Sequence, residues 1–329
     1  MKRKLIMQDL ELKHKLPNFF VVGAAKAGTT SIYNYIKLHP EVYVSLIKEP
    51  NFFSTDIDVS KFRKTYKKEI ELGYEQFYKY GTQAHLTFIR SWEDYYKLFE
   101  NVKNEKAIGE FSTSYLYSKI AAKNIYNNIE NAKIIIVLRN PIERAFSHYI
   151  MDLKIGYTNL SFMEAIKKDM NAKEKGWGIT SLYLELGEYY EQVKRYLDIF
   201  PKESVKIYLF EDLKNTKNLI LDLYEFLNVN PDLYFPDVSQ KFNRGKIPKS
   251  KTLFYFATKI GFINLGRKIM PSYIKNKFKK LLFSEKSLPR LTDNEKKFLI
   301  SYYEKDVKKL SELIERDLSS WLKVWKKYI

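Results

Sequence analysis

The sequence predicts an α/β protein with a central parallel sheet covered by helices, and three observations carry that expectation. Two runs, Phe19–Val22 and Lys133–Leu138, are apolar without polar alternation, the pattern of strands buried on both faces. Stretches of strand character alternate with stretches of helical periodicity, which implies parallel pairing through crossover helices. The first run also leads directly into a turn of small residues, Gly23-Ala24-Ala25-Lys26-Ala27-Gly28, that opens a helix at Thr29 or Thr30.

Taken in order, the first helix carries Ile32, Tyr35 and Ile36 as apolar positions and ends at His39-Pro40. Val42-Tyr43-Val44 is a short strand leading to Lys48-Glu49-Pro50, where Pro50 favours an extended Glu49. Residues 54–90 contain Gly73, Gly81 and many tyrosines without steady periodicity and read as a long irregular excursion, of a kind usually functional. Ser91 begins a helix with Asp94 three residues on, a capping pattern, and places Trp92, Tyr95, Tyr96 and Phe99 on related faces. Lys106–Phe111 is a strand, 119–128 a helix, and Lys133–Leu138 the strongest strand of the chain. Asn140 caps the next helix and Pro141 is its first residue. Helices follow over 161–173 and 180–199, interrupted by Gly176 and Gly178. A strand covers Val205–Phe210, a helix Leu219–Leu227, a loop-like stretch 236–252, and a last helix Asp293–Ile314.

The turn after the first strand reads as an anion cradle, because backbone N–H groups at a helix start and the positive end of the helix dipole both point into it. Its glycine spacing is that of the nucleotide-triphosphate loop, G-x-x-x-x-G-K-[ST]. Thr29, however, stands where that loop has its lysine, and Lys26 lies inside the turn. The strand Lys133–Leu138 ends in Arg139, whereas a kinase or ATPase needs a carboxylate there for magnesium. The expected fold is therefore P-loop-like, a three-layer α/β/α arrangement with a central parallel sheet and helical or loop insertions. Its loop suits a transferable group less charged than a γ-phosphate.

Four segments carry a resemblance to a known family: Lys26–Thr30 (KAGTT), Lys48–Phe53 (KEPNFF), Gly109–Tyr115 (GEFSTSY) and Leu138–Tyr149 (LRNPIERAFSHY). Together and in this order they resemble the sulfotransferases that use 3′-phosphoadenosine 5′-phosphosulfate (PAPS), and among them the bacterial and heparan-sulfate-type carbohydrate enzymes. The resemblance implies a single domain over 1–329, with an N-terminal extension (1–16), a substrate-side insertion (54–105) and a C-terminal helical region (251–329). It implies transfer of a sulfuryl group in line from PAPS to a hydroxyl or amine of a carbohydrate or glycolipid acceptor, with no metal required.

The implied roles follow the chemistry. The leaving phosphate oxygen gains negative charge, so a cation beside it stabilises the transition state more than the ground state; Lys26 has that place. Ala27, Gly28, Thr29 and Thr30 hold the donor's oxygens, and Arg139 with Ser147 binds the nucleotide's 3′-phosphate. Arg244-Gly245-Lys246 looks like the loop that closes over the nucleotide. Glu49 occupies the position of the catalytic carboxylate, and Lys48 orients the sulfonate or the acceptor. Glu110 is a competing carboxylate, either a structural partner or a substrate-binding group, and Ser114 lines the same cleft. Arg144 reads as a helix-face ion pair and His148 as a packed or exposed imidazole. Lys26 alone also reads as a solvent-facing loop lysine. Two rival readings stay open: a nucleotide kinase using the same loop, and a basic nucleic-acid- or membrane-binding protein.

Composition sets outer bounds. The chain has 329 residues, 45% of them hydrophobic, enough for a large core, and no cysteine, which excludes disulfides and thiolate chemistry. Nothing approaches the length of a membrane span, and the start of the chain lacks the apolar core of a signal peptide, so the expectation is a cytoplasmic protein, at most peripheral at a membrane. The net charge of +18 favours anionic partners without choosing among them; nucleic acid is not the one expected. Residues 244–283 hold eleven Lys or Arg and no Asp or Glu among apolar residues, a pattern that fits contact with an anionic membrane or polyanionic glycan as well as a solvated helical lid.

Overall fold

A strand with no polar alternation has to be covered on both faces, and the first strand is: Phe19–Val22 expose nothing to solvent. The structure, a computed structural model, describes residues 16–237 and 289–323, with 247–248, 250, 252, 255–256 and 283–284 between them. The chain divides into two units. One takes Met1–Arg139, Tyr189–Phe242 and Glu312–Glu315; the other takes Asn140–Glu188, Asn243–Ser311 and Arg316–Ile329.

In the first unit the strands are β1 (Phe19–Gly23), β2 (Val42–Val44), β3 (Ile47–Glu49), β4 (Ala84–Leu86), β5 (Ala107–Phe111), β6 (Lys133–Leu138) and β7 (Val205–Leu209). Five of them form one sheet in the order β2-β5-β1-β6-β7, every pair parallel. Helices α1 (Thr29–Ile36), α2 (Lys64–Tyr74), α3 (Trp92–Lys97), α4 (Ser114–Tyr117) and α5 (Ala121–Asn128) accompany it, as expected for parallel connections. Strands β3 and β4 form a separate parallel pair in the register Ile47↔Ala84 and Glu49↔Leu86.

The excursion over 54–90 is more regular than its sequence suggests. It contains a short 3₁₀ turn (Val59–Lys61), α2, a π-helical turn (Glu75–Lys79) and β4. Gly73, which reads as a breaker, lies inside α2 because β4 presses against it: a Cβ there would sit 1.9 Å from the Leu86 carbonyl oxygen.

The second unit starts with α6 (Pro141–Ile155), capped by the Asn140 side chain on the Ile142 N–H at 3.0 Å, with Pro141 at its first turn as expected. It continues with α7 (Phe162–Met170), which opens on a Ser161/Glu164 capping box. The expected helix over 180–199 is shorter: a 3₁₀ turn covers Glu185–Gly187, and α8 runs over Tyr189–Ile199 in the first unit, as does α9 (Thr216–Leu227). The helix α10 (Asp293–Leu313) buries Leu299, Tyr303, Val307 and Leu310. Arg144 is not on a surface ion pair; it is fully buried, and its Nη2 donates to the Tyr183 carbonyl. His148 is also buried, with Nε2 3.9 Å from Asp152 Oδ1, and Asp152 accepts from Ser181 Oγ (2.5 Å) and Tyr183 Oη (2.7 Å).

A buried polar network joins β5 to the segment after β3. Glu110 is fully buried and accepts from Tyr95 Oη at 2.6 Å and Ser112 Oγ at 2.7 Å. Ser112 Oγ in turn accepts from the Asn51 N–H at 3.0 Å, and Ser114 Oγ donates to Asn51 Oδ1 at 2.5 Å. Asn51 adopts φ 52°, left-handed for a residue that tolerates it, and its Nδ2 donates to the carbonyls of Glu49 and Thr87, both at 2.8 Å. Arg90 donates to the carbonyls of Asn51 and Ile57, binding the excursion to the same point.

Two predictions follow from this packing. Gly109 faces Phe19 across β5 and β1, and a Cβ there would lie 2.1 Å from the ring of Phe19, which is fully buried. Gly109→Ala is therefore expected to lower stability by about 1–3 kcal/mol, read as a lower denaturant midpoint at unchanged slope; an unchanged midpoint would mean that the ring yields. Burial pushes the Glu110 carboxyl up to about 7, against the lowering effect of hydroxyls from Tyr95, Ser112 and Tyr115. The folded chain then holds this proton more tightly than the unfolded chain, whose ordinary value is 4.5. Its contribution is complete below pH 4.5 and is lost as pH rises through 7, by about 3 kcal/mol at most. Stability measured across that window should fall in the parent and stay flatter in Glu110→Gln; equal slopes would exonerate Glu110.

Candidate active site

Because β1 and its neighbours β5 and β6 run parallel, the segments that follow them emerge at one edge of the sheet, and the predicted residues of the first unit gather there. The turn after β1 is tied to β6 by the Ala24 N–H on the Val137 carbonyl at 2.7 Å. Lys26 holds φ 69° within it, and Gly28, at φ 99°, occupies the cap position of α1 with no side-chain cap on the first helical N–H groups. The φ of 99° is one that L side chains rarely adopt, which calls for glycine here, and a Cβ would also lie 2.6 Å from Leu213 Cδ1. Ala27 and Thr29 are buried and Thr30 is half-buried. A helix start with uncapped donors is what an anionic group needs.

Arg139 follows β6 directly. Its Nη1 donates to the Lys26 carbonyl at 3.3 Å, its guanidinium lies 4.3 Å from the Phe210 ring centroid, and its own carbonyl accepts from Tyr189 Oη at 3.0 Å. Ser147 lies on α6 in the second unit, half-buried. Arg244, Gly245 and Lys246, with nearly all of 244–283, lie outside the described residues.

Glu49 ends β3. Its Oε1 is 3.1 Å from Lys48 Nζ, and its Oε2 accepts from Thr113 Oγ1 at 3.1 Å, so both carboxylate oxygens are held from different segments. Both side chains are largely enclosed, 9% exposed for Lys48 and 14% for Glu49. Burial alone would raise the Glu49 pKa, but the charges of Lys48 and His85 and the hydrogen bonds from Lys48 and Thr113 outweigh it and hold the carboxyl below its ordinary 4.5. Glu110, read as a structural partner or a substrate-binding group, and Ser114 are fully buried and engaged with protein groups in the network behind Glu49.

His85 is the residue that sequence reasoning missed. It lies in β4, between Ala84 and Leu86, which pair with Ile47 and Glu49, so it stands beside Lys48 in the register of the pair. Its imidazole interacts electrostatically with Glu49, Lys48 and Lys26, which joins the turn after β1 to the carboxylate of β3. The only local signal was the alternation Ala-His-Leu, three residues long.

Residues 16–253 match the family model described as the sulfotransferase domain. Among curated relatives, carbohydrate sulfotransferase 15 of Mus musculus is 27% identical over 259 residues, covering 66% of this chain and 44% of the relative. The bifunctional heparan sulfate N-deacetylase/N-sulfotransferase 3 of Mus musculus is 25% identical over 319 residues, covering 94% of this chain and 31% of the relative. The chain thus spans less than half the length of these relatives. The crystal structure of a sulfotransferase from Alicyclobacillus acidocaldarius superposes with a TM-score of 0.64 at 30% identity, covering 94% of this chain and 100% of that one.

One expectation is overturned here. The expected cytoplasmic location does not stand: a relative that is 28% identical over 134 residues, covering 41% of this chain and 22% of its own length, is the membrane-associated sulfotransferase kil1 of Dictyostelium discoideum. Among the described residues no helix is long and apolar enough to cross a membrane. A turn of small residues with its lysine inside, an arginine at the end of the neighbouring strand and a family match over most of the chain lead to one conclusion: this protein belongs to the sulfotransferase family.

Proposed function

We propose that this chain transfers a sulfuryl group from PAPS to a hydroxyl or amine of a carbohydrate acceptor. The observation that carries the reading is the tie between Arg139 and the Lys26 turn, which sets two cationic residues at the ends of adjacent parallel strands beside an uncapped helix start. The close backbone at Gly28 and the uncapped donors fit a phosphosulfate. The donor, when bound, supplies the sulfuryl group and a phosphate leaving group.

The chain's residues then divide the work. Lys26 faces the charge that develops on the leaving oxygen. Backbone N–H groups of Gly28–Thr30 and the threonine hydroxyls hold non-bridging oxygens beside Ala27, and Arg139 holds the 3′-phosphate as a planar, multidentate donor; Ser147 is assigned with it by resemblance. Glu49 is the carboxylate that serves the acceptor's departing proton, and Lys48 orients the carboxylate and the group it acts on. Glu110 and Ser114 fix the segment that presents Glu49. The relatives' names support a glycan as acceptor. A glycolipid acceptor, closure by Arg244-Gly245-Lys246 and contact of 244–283 with an anionic membrane rest on the sequence pattern.

Titration with 3′-phosphoadenosine 5′-phosphate (PAP) tests the donor site. The parent should prefer it to adenosine 5′-phosphate; equal affinity would remove the assignment of Arg139. Arg139→Ala should weaken PAP by about 1.5–3 kcal/mol, the range for a hydrogen bond to a charged group, whereas Lys26→Ala should lose chiefly turnover. In Glu49→Gln, PAP affinity should persist while the transfer rate falls about 10²–10⁴-fold. A Glu49→Gln enzyme at the parental rate would show that another group serves the acceptor.

A further inference from the structure

His85 supplies what Glu49 lacks. A carboxylate held below its ordinary range by a neighbouring ammonium is a weak base at neutral pH, and proton transfer is most effective when the acceptor's pKa lies near the working pH. The β3–β4 register puts His85 beside Lys48, one residue from Glu49, and His85 is exposed whereas Lys48 and Glu49 are enclosed. Among the described residues no hydrogen bond joins Glu49 to His85, and the two are coupled electrostatically.

We propose that His85 is a catalytic residue, the group that receives the acceptor's proton, with Glu49 staying ionised to stabilise the imidazolium that forms. The proposal rests on the sulfotransferase reading and refines the part played by Glu49 in it. As the acceptor oxygen or nitrogen forms its bond to sulfur, its bond to hydrogen breaks and the proton passes to the free ring nitrogen of His85. The sulfur–oxygen bond to the phosphate breaks, and its electron pair stays on the phosphate oxygen. The charged groups acting on His85 are Glu49 and Lys48 of β3 and Lys26 of the turn after β1. Desolvation by the surrounding protein and the two ammoniums hold the imidazole below its ordinary 6.5, and Glu49 opposes them. An imidazole held below 6.5 is mostly neutral, and able to accept, at pH 7.

NMR titration of the four histidines reads this without any acceptor. The His85 resonance, assigned by its absence in His85→Asn, should titrate below 6.5, move further down in Glu49→Gln and move up in Lys48→Gln. A resonance that titrates at or above 6.5 and ignores both changes overturns the proposal. Turnover is read as PAP released from PAPS, with desulfated heparin as one acceptor probe and water as the other. His85→Asn should bind PAP like the parent, turn over about 10²-fold more slowly and lose the acid-side inflection of the parental pH profile, and added imidazole should restore part of the rate to His85→Ala. Retention of both rate and inflection in His85→Asn, with PAP bound and Glu49→Gln impaired, sinks the proposal and leaves the sulfotransferase reading intact. Failure of the parent to bind PAP sinks that reading itself.

Discussion

A strand buried on both faces between two parallel neighbours has no choice about where its chain emerges, and that constraint organises the first unit. With Phe19–Val22 wholly enclosed between β5 and β6, the turn carrying Lys26 comes out where the chain after β5 and Arg139 after β6 also come out. Residues far apart in sequence become neighbours, and the Ala24 N–H on the Val137 carbonyl and Arg139 on the Lys26 carbonyl then fasten them. The turn itself then needs glycine at position 28, where the backbone adopts φ 99°.

The second requirement is to hold a carboxylate at that edge without spending its charge on the protein interior. Glu49 is gripped at both oxygens, yet the residues that fix its backbone lie behind it: Asn51, Ser112, Ser114 and Glu110. The two glutamates have opposite environments. Glu110, fully buried among hydroxyls, is shifted toward its neutral form, while Glu49, beside Lys48, is shifted toward its charged form.

Much of this was legible in the sequence, for local reasons. The two non-alternating apolar runs became the strands at the middle of the sheet, and Asn140-Pro141 opened a helix because cap and first-turn chemistry is decided within four residues. The excursion over 54–90 was misjudged because Gly73 in α2 answers to the backbone of β4, thirteen residues on, and no local pattern shows that. Arg144 was misplaced for a related reason: periodicity says that a residue lies on a helix face, but not whether that face meets solvent or the Tyr183 carbonyl. His85 was invisible because its chemistry comes from register with Lys48, a pairing that three residues of strand cannot announce.

The Asn51 side chain has a consequence for how catalysis can proceed. With Nδ2 on the carbonyls of Glu49 and Thr87 and Oδ1 on Ser114, one buried amide fastens the end of β3, the residue that follows β4 and the segment after β5 to each other. Displacing any one of them would strand polar atoms in the interior, which is costly. On the proposed reading, the dipoles and charges around the acceptor are therefore in place before it arrives, and little of its binding energy has to go into reorganising them.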